Sequence, residues 1–125
     1  MKTEGELKLE TKFKIKYDDD AMFELDEIYL YIRDELKEEK IAEKTVKKIR
    51  EKIRVLNNFP FAYKLITKSK SFEYRKFIIK NYIVIYKINL KEKEINILHI
   101  YNQKQKIINK KYIVKFRNNK NVVLN

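Results

Sequence analysis

The chain predicts an α+β fold: an N-terminal strand, an antiparallel two-helix hairpin, then a three- to four-stranded antiparallel sheet. Three observations predict it. Apolar residues alternate with lysines over residues 12–17, recur at three- and four-residue spacing from Leu25 to Leu56, and alternate again in three runs between Tyr74 and Tyr101. At 125 residues, with 44% hydrophobic and 38% charged side chains, this is one globular domain large enough to bury a core. The core spans 11–106, with an N-terminal arm over 1–10 and a C-terminal extension over 107–125.

The first strand places Phe13, Ile15 and Tyr17 on one face and lysines on the other. Asp18, Asp19 and Asp20 follow, supplying an N-cap and carboxylates at the positive end of a helix dipole. Leu25, Ile28, Tyr29, Ile32 and Leu36 form the stripe of helix one, which runs from Ala21 to about Glu38. A break at Glu39 and Lys40 is short enough that helix two, striped by Ala42, Val46, Ile49, Ile53 and Leu56, lies antiparallel beside it. Asn57, Asn58 and Pro60 end that helix.

Residues 65–70 read as a short extended segment, and residues 74–79, 82–88 and 95–101 as the strands of a meander. Lys80 and Asn81 make the first turn, with asparagine taking the positive φ in the absence of glycine; residues 89–93 make the second. Residues 112–116, YIVKF, read as a further strand in the extension.

Charge is unevenly distributed. Residues 18–52 carry eight basic against twelve acidic side chains, whereas residues 53–125 carry seventeen basic against three acidic, within a net charge of +12. A field of that shape steers an anionic partner toward the sheet. Several chemistries are excluded. The single glycine, Gly5, rules out a glycine-rich phosphate loop, and zero cysteines with one histidine leave no zinc set. Ser69, Ser71 and His99 are too scarce for a serine triad, so neither metal nor cofactor is expected. No apolar run reaches the ~20 residues of a membrane span, no secretory signal opens the chain, and the lack of cysteine agrees with a cytoplasmic location.

The segments YDDDAMFELDEIYLYI, IAEKTVKKIREKIRVLNNFP, YRKFIIKNYIVIYKI and INILHIYNQKQ, in that order, resemble the RelE/ParE superfamily of type II toxin–antitoxin toxins over about residues 12–106. The resemblance rests on Ala21 opening helix one, the Leu56-x-x-x-Pro60 exit of helix two, Arg75 leading a strand, and the Tyr82-x-Val84-x-Tyr86 strand. Members are small bacterial growth inhibitors held inactive by an antitoxin whose C-terminal segment wraps the toxin. RelE-like members cleave mRNA in the ribosomal A site; ParE-like members poison DNA gyrase.

The resemblance therefore implies a toxin that stops translation by ribosome-dependent mRNA cleavage, a metal-independent endoribonuclease partnered by a cognate antitoxin, ribosome and mRNA. The alternative is a gyrase poison that cuts nothing itself. On the first reading Arg75 faces the scissile phosphate, where a guanidinium stabilises developing negative charge. Tyr101 acts as base or stacking platform, Asn102 completes the catalytic group, and Lys64, Lys68, Lys70, Lys104 and Lys106 hold the nucleic-acid backbone. Asn102 stands where many relatives carry histidine, and the loop 60–70 lacks the carboxylate some use, which leaves a site of Lys, Arg and Tyr. Two structural roles stand beside these: Arg75 can pair with Glu73 on its own strand face, and His99, inside an apolar strand, reads as a hydrogen-bonded framework residue.

Overall fold

The computed structural model describes residues 12–103. The arm, the extension with its YIVKF segment, and Lys104 and Lys106 lie outside the described residues.

Strand β1 (Lys14–Tyr17) leads into α1 (Asp19–Leu30), which continues through a π-helical turn over Tyr31–Glu35. Helix α2 (Glu39–Arg54) follows and closes in a 3₁₀ turn over Val55–Asn57. Strands β2 (Lys64–Lys68), β3 (Phe72–Ile79), β4 (Tyr82–Asn89) and β5 (Glu94–Asn102) complete the fold. The sheet has five strands in the order β1-β5-β4-β3-β2. All pairs are antiparallel except β1 with β5, which run parallel because the helical hairpin and three strands intervene. Lys64–Lys68, in the stretch that the sequence reads as a short extended segment, joins as an edge strand exposed at every position, so four antiparallel strands stand beside β1 as the sequence allows.

Alternation places the apolar half of each inner strand toward the helices. Phe77, Val84, Tyr86, Ile88, Ile95, Ile97 and Ile100 pack there against Leu25, Ile28, Ile32, Ile49, Ile53 and Leu56. Each such fully buried aliphatic side chain contributes roughly 1.5–3 kcal/mol of transfer free energy. Phe13, Ile15 and Tyr17 of β1 close the same core. Two carbonyl contacts fix where the chain enters the sheet: Phe13 N–H donates to Asn57 O (2.8 Å), and Asp18 N–H donates to Ile97 O (2.9 Å).

Local details depart from expectation. Asp18 occupies the N-cap position with extended backbone, but its carboxylate does not cap; it accepts from Asn96 Nδ2 at 3.4 Å, tying helix start to β5. Lys80, not Asn81, takes the positive φ in the β3–β4 turn. Lys37 and Lys93 do the same at the helix–helix corner and the β4–β5 turn, so lysine fills three left-handed positions where glycine is usual. Among the described residues no helix is long and apolar enough to cross a membrane.

Candidate functional site

The loop between the 3₁₀ turn and β2 packs against the helix side of β3 and β4. Pro60 is buried there, and its carbonyl accepts a hydrogen bond from Tyr86 Oη at 2.8 Å. Burial drives the Tyr86 phenol far above its ordinary pKa, opposed only in part by the Arg75 charge. Tyr63 stacks near Phe77 (4.8 Å between centroids), and Lys52 of α2 reaches over both rings at 5.5 and 5.9 Å.

Arg75 sits in the middle of this arrangement, in register with Tyr86 on one side and Leu65 on the other. Its guanidinium is committed to the protein. Nε and Nη2 donate to Glu73 Oε1 at 2.9 and 2.7 Å, while Nη1 donates to the carbonyls of Phe61 (3.1 Å) and Tyr63 (2.5 Å). The Phe61 ring lies 5.5 Å from Cζ. Both charged side chains are largely enclosed, at 14% and 16% exposure. Glu73 and Arg75 are two residues apart on one strand, which puts them on one face; the loop carbonyls then use the remaining arm of the guanidinium fork.

The other residues singled out from sequence are not gathered here. Tyr101 pairs with Ile83 and Asn102 with Tyr82, at the far end of β4 from Tyr86. Strand geometry separates them from Arg75 by roughly 14 Å. Tyr101 lies on the sheet face away from the helices, whereas Arg75 lies on the helix face. Burial raises the Tyr101 pKa, and the Glu24 carboxylate raises it further, so the phenol is held protonated rather than drawn toward phenolate by lysines. Lys68 pairs in register with Glu73 on the helix side, Lys64 pairs with Lys76 on the opposite face, and Lys70 is exposed in the β2–β3 turn.

One group was not foreseen. Glu24 of α1 is buried at 7% exposure against β5, beyond the point where β1 ends. Its Oε1 accepts the Ile100 N–H at 3.0 Å and lies 3.2 Å from His99 Nδ1. The carboxylate thereby occupies a free sheet-edge donor and fixes the histidine, giving His99 a framework role. The signal was present: Glu24 falls on the same helical face as Ala21, Leu25 and Ile28. Among the described residues, no cluster of three His, Cys, Asp or Glu side chains is placed to hold a metal ion.

Comparison with known proteins adds a family. Residues 15–107 match the family model described as ParE toxin of type II toxin–antitoxin system, parDE. No curated protein matches the chain in sequence. Among solved structures, the archaeal RelE–RelB complex from Pyrococcus horikoshii OT3 is similar at a TM-score of 0.59 and 15% identity, over 75% of this chain and 98% of that one. The chromosomal ParDE toxin–antitoxin system from P. aeruginosa is similar at 0.59 and 22% identity, over 74% of this chain and 97% of that one. At such identities the likeness is one of fold.

Proposed function

This chain belongs to the ParE toxin family of type II toxin–antitoxin systems, and from that premise we propose that it arrests growth by binding DNA gyrase, without cutting a bond itself. The observation that carries the choice is the commitment of Arg75. Ribonucleolytic cleavage asks for a cation free to meet the scissile phosphate and a base that takes the 2′-hydroxyl proton. Arg75 spends its donors on Glu73 and two loop carbonyls, Tyr101 is held protonated, and His99 is fixed against buried Glu24. These side chains support a scaffold for recognition better than a reaction centre.

Ribosome-dependent mRNA cleavage, the first reading on sequence, retains the support of the basic charge of residues 53–125. It requires Arg75 to exchange Glu73 for phosphate. The two readings separate in one experiment with purified toxin. Gyrase supercoiling and DNA-cleavage assays are run beside programmed ribosomes carrying labelled mRNA. Stalled gyrase–DNA breaks with intact mRNA are expected; cut mRNA at the A site with gyrase unaffected refutes the proposal.

The partner that restrains the toxin is proposed to be an antitoxin with an acidic, amphipathic docking segment. The groove between the helices supports this: it joins Tyr29 and Val46 to three cations, Lys47, Arg50 and Arg54, against two carboxylates, Glu43 and Glu51. Arg50 lies 5.8 Å from the Tyr17 ring, so cations and aromatic surface are already adjacent.

A further inference from the structure

An exposed apolar patch lies where the 3₁₀ turn meets the loop to β2. Val55, Phe59 and Phe61 are 49%, 61% and 46% exposed. Phe59 N–H donates to Val55 O at 3.2 Å, which sets those two residues one turn apart, and the Phe61 ring meets Phe13 edge-on at 5.8 Å. Two phenylalanines and a valine gathered at one corner differ from the scattered single apolar residues of an ordinary surface. Beside them Lys12, Phe13, Lys14, Ile15, Arg54 and Asn57 line a cavity of about 430 Å³, with three cations and no carboxylate among the described residues of its wall. The patch is apolar, its margin is basic, and Phe13 belongs to both.

The chain itself brings a matching segment to this corner. Phe13 N–H donates to Asn57 O at 2.8 Å, so the residues that precede Phe13 start from beside the 3₁₀ turn. Their sequence continues the pattern of β1: Leu7 and Leu9 fall in the same odd-numbered series as Phe13, Ile15 and Tyr17, with Glu6 and Glu10 in the even series between them. Residues 1–11 carry three glutamates against two lysines, within a chain whose net charge is +12. At roughly 3.3 Å per residue, Leu9 reaches about 13 Å from Phe13 and Leu7 about 20 Å, and Phe59 is only two residues beyond Asn57. Tethering at the rim gives the arm a local concentration on the order of mM, which a second copy at micromolar dilution does not match.

We propose that the N-terminal arm folds back over this corner, with Leu7 and Leu9 on Val55, Phe59 and Phe61, and Glu10 among Lys12, Lys14 and Arg54. The arm is then a cover built into the chain. It shields the outer side of the loop whose Phe61 carbonyl accepts from Arg75 Nη1 at 3.1 Å, and any partner that uses Phe59 and Phe61 must displace it. The inference does not depend on which target the toxin meets.

The chain has no cysteine, so paired substitutions report the contact in the full chain without background. Leu9→Cys is combined with Phe59→Cys, with Val55→Cys, or with Glu92→Cys. Glu92 lies in the β4–β5 turn, which meets the start of β1 where Lys14 N–H donates to Lys93 O at 3.0 Å; it is within reach of the arm but off the patch. At micromolar protein and under mild oxidation, the Leu9–Phe59 and Leu9–Val55 pairs should close internally about 10-fold faster than the Leu9–Glu92 pair, read by mass spectrometry of the monomer. Leu7→Ser in the same background should slow closure toward the Glu92 rate. Glu10→Lys should slow it about 3-fold at low salt and leave it unchanged at about 1 M salt. Circular dichroism confirms that each variant is folded. Equal closure rates for the three pairs overturn the proposal. So does closure that neither Leu7→Ser nor Glu10→Lys alters, or a disulfide-linked dimer that forms faster than internal closure and grows with concentration, which gives the patch to a second copy.

Discussion

Replacing Arg75 by methionine keeps the length of the side chain and removes its charge and donors. The structure sets the size of the effect. Four hydrogen bonds disappear, two of them to a carboxylate, and Glu73 is left mostly enclosed without its counter-charge. Breaking a fully buried pair from one side costs roughly 3–5 kcal/mol, and the residual exposure of this pair places it at the lower end, about 3 kcal/mol. With a urea m-value of about 1.5 kcal/mol/M for a domain of this size, the unfolding midpoint should fall by about 2 M.

A double-mutant cycle isolates the pair from the loop carbonyls. In a Glu73→Gln background no uncompensated carboxylate remains, so Arg75→Met should cost only about 1.5 kcal/mol, giving a coupling of similar size. The result that would refute the reasoning is specific. If Arg75→Met shifts unfolding by less than about 0.5 kcal/mol yet abolishes growth arrest, the guanidinium serves a target and not the loop.

Three further outcomes follow from other parts of the molecule. Lys37→Gly should stabilise the chain by roughly 0.5–1 kcal/mol, because Lys37 holds a left-handed φ of 58° at the helix–helix corner; thermal melting reads this directly. Glu24→Leu should destabilise by about 2–3 kcal/mol by orphaning the Ile100 N–H, whereas Glu24→Gln, which keeps an acceptor, should cost about 1 kcal/mol in urea unfolding. Tyr17, Tyr82, Tyr86 and Tyr101 all have pKa values raised by burial. Above pH ~10 the unfolded chain therefore loses these protons first and binds fewer than the folded one, so stability should fall as pH rises past that point. Tyr86→Phe should make the fall shallower by up to about 1.4 kcal/mol per pH unit, measured as urea midpoints between pH 9 and 11.

Periodicity made the helices, β1 and the meander legible, because each buries one face and leaves the other wet. Strand β2 was harder to read: KLITK is exposed at every position and carries no alternation. The parallel pairing of β1 has no local signature, since it depends on contacts made some eighty residues apart. Within the site, the Glu73–Arg75 pair is visible as an i, i+2 relation, but the loop carbonyls that complete it come from the path of residues 60–63. Lys64 and Lys68 look like neighbours on one face by parity. The irregularity between Leu65 and Thr67 shifts the register by one residue and sends the two lysines to opposite faces.

That one-residue shift bears on how the toxin should respond to salt. Arg75 and Glu73 are enclosed, so their attraction is little screened and belongs to stability. Lys64 is exposed and Lys76 and Lys87 are half-exposed, so any partner they hold is screened over a Debye length of about 8 Å at physiological salt. Raising salt should therefore weaken whatever these lysines hold while leaving the Arg75 loop folded. If inhibition of the target falls with salt, exposed cations hold the target. If inhibition resists salt, the target is engaged by apolar surface, on the loop around Phe59 and Phe61 in place of the N-terminal arm.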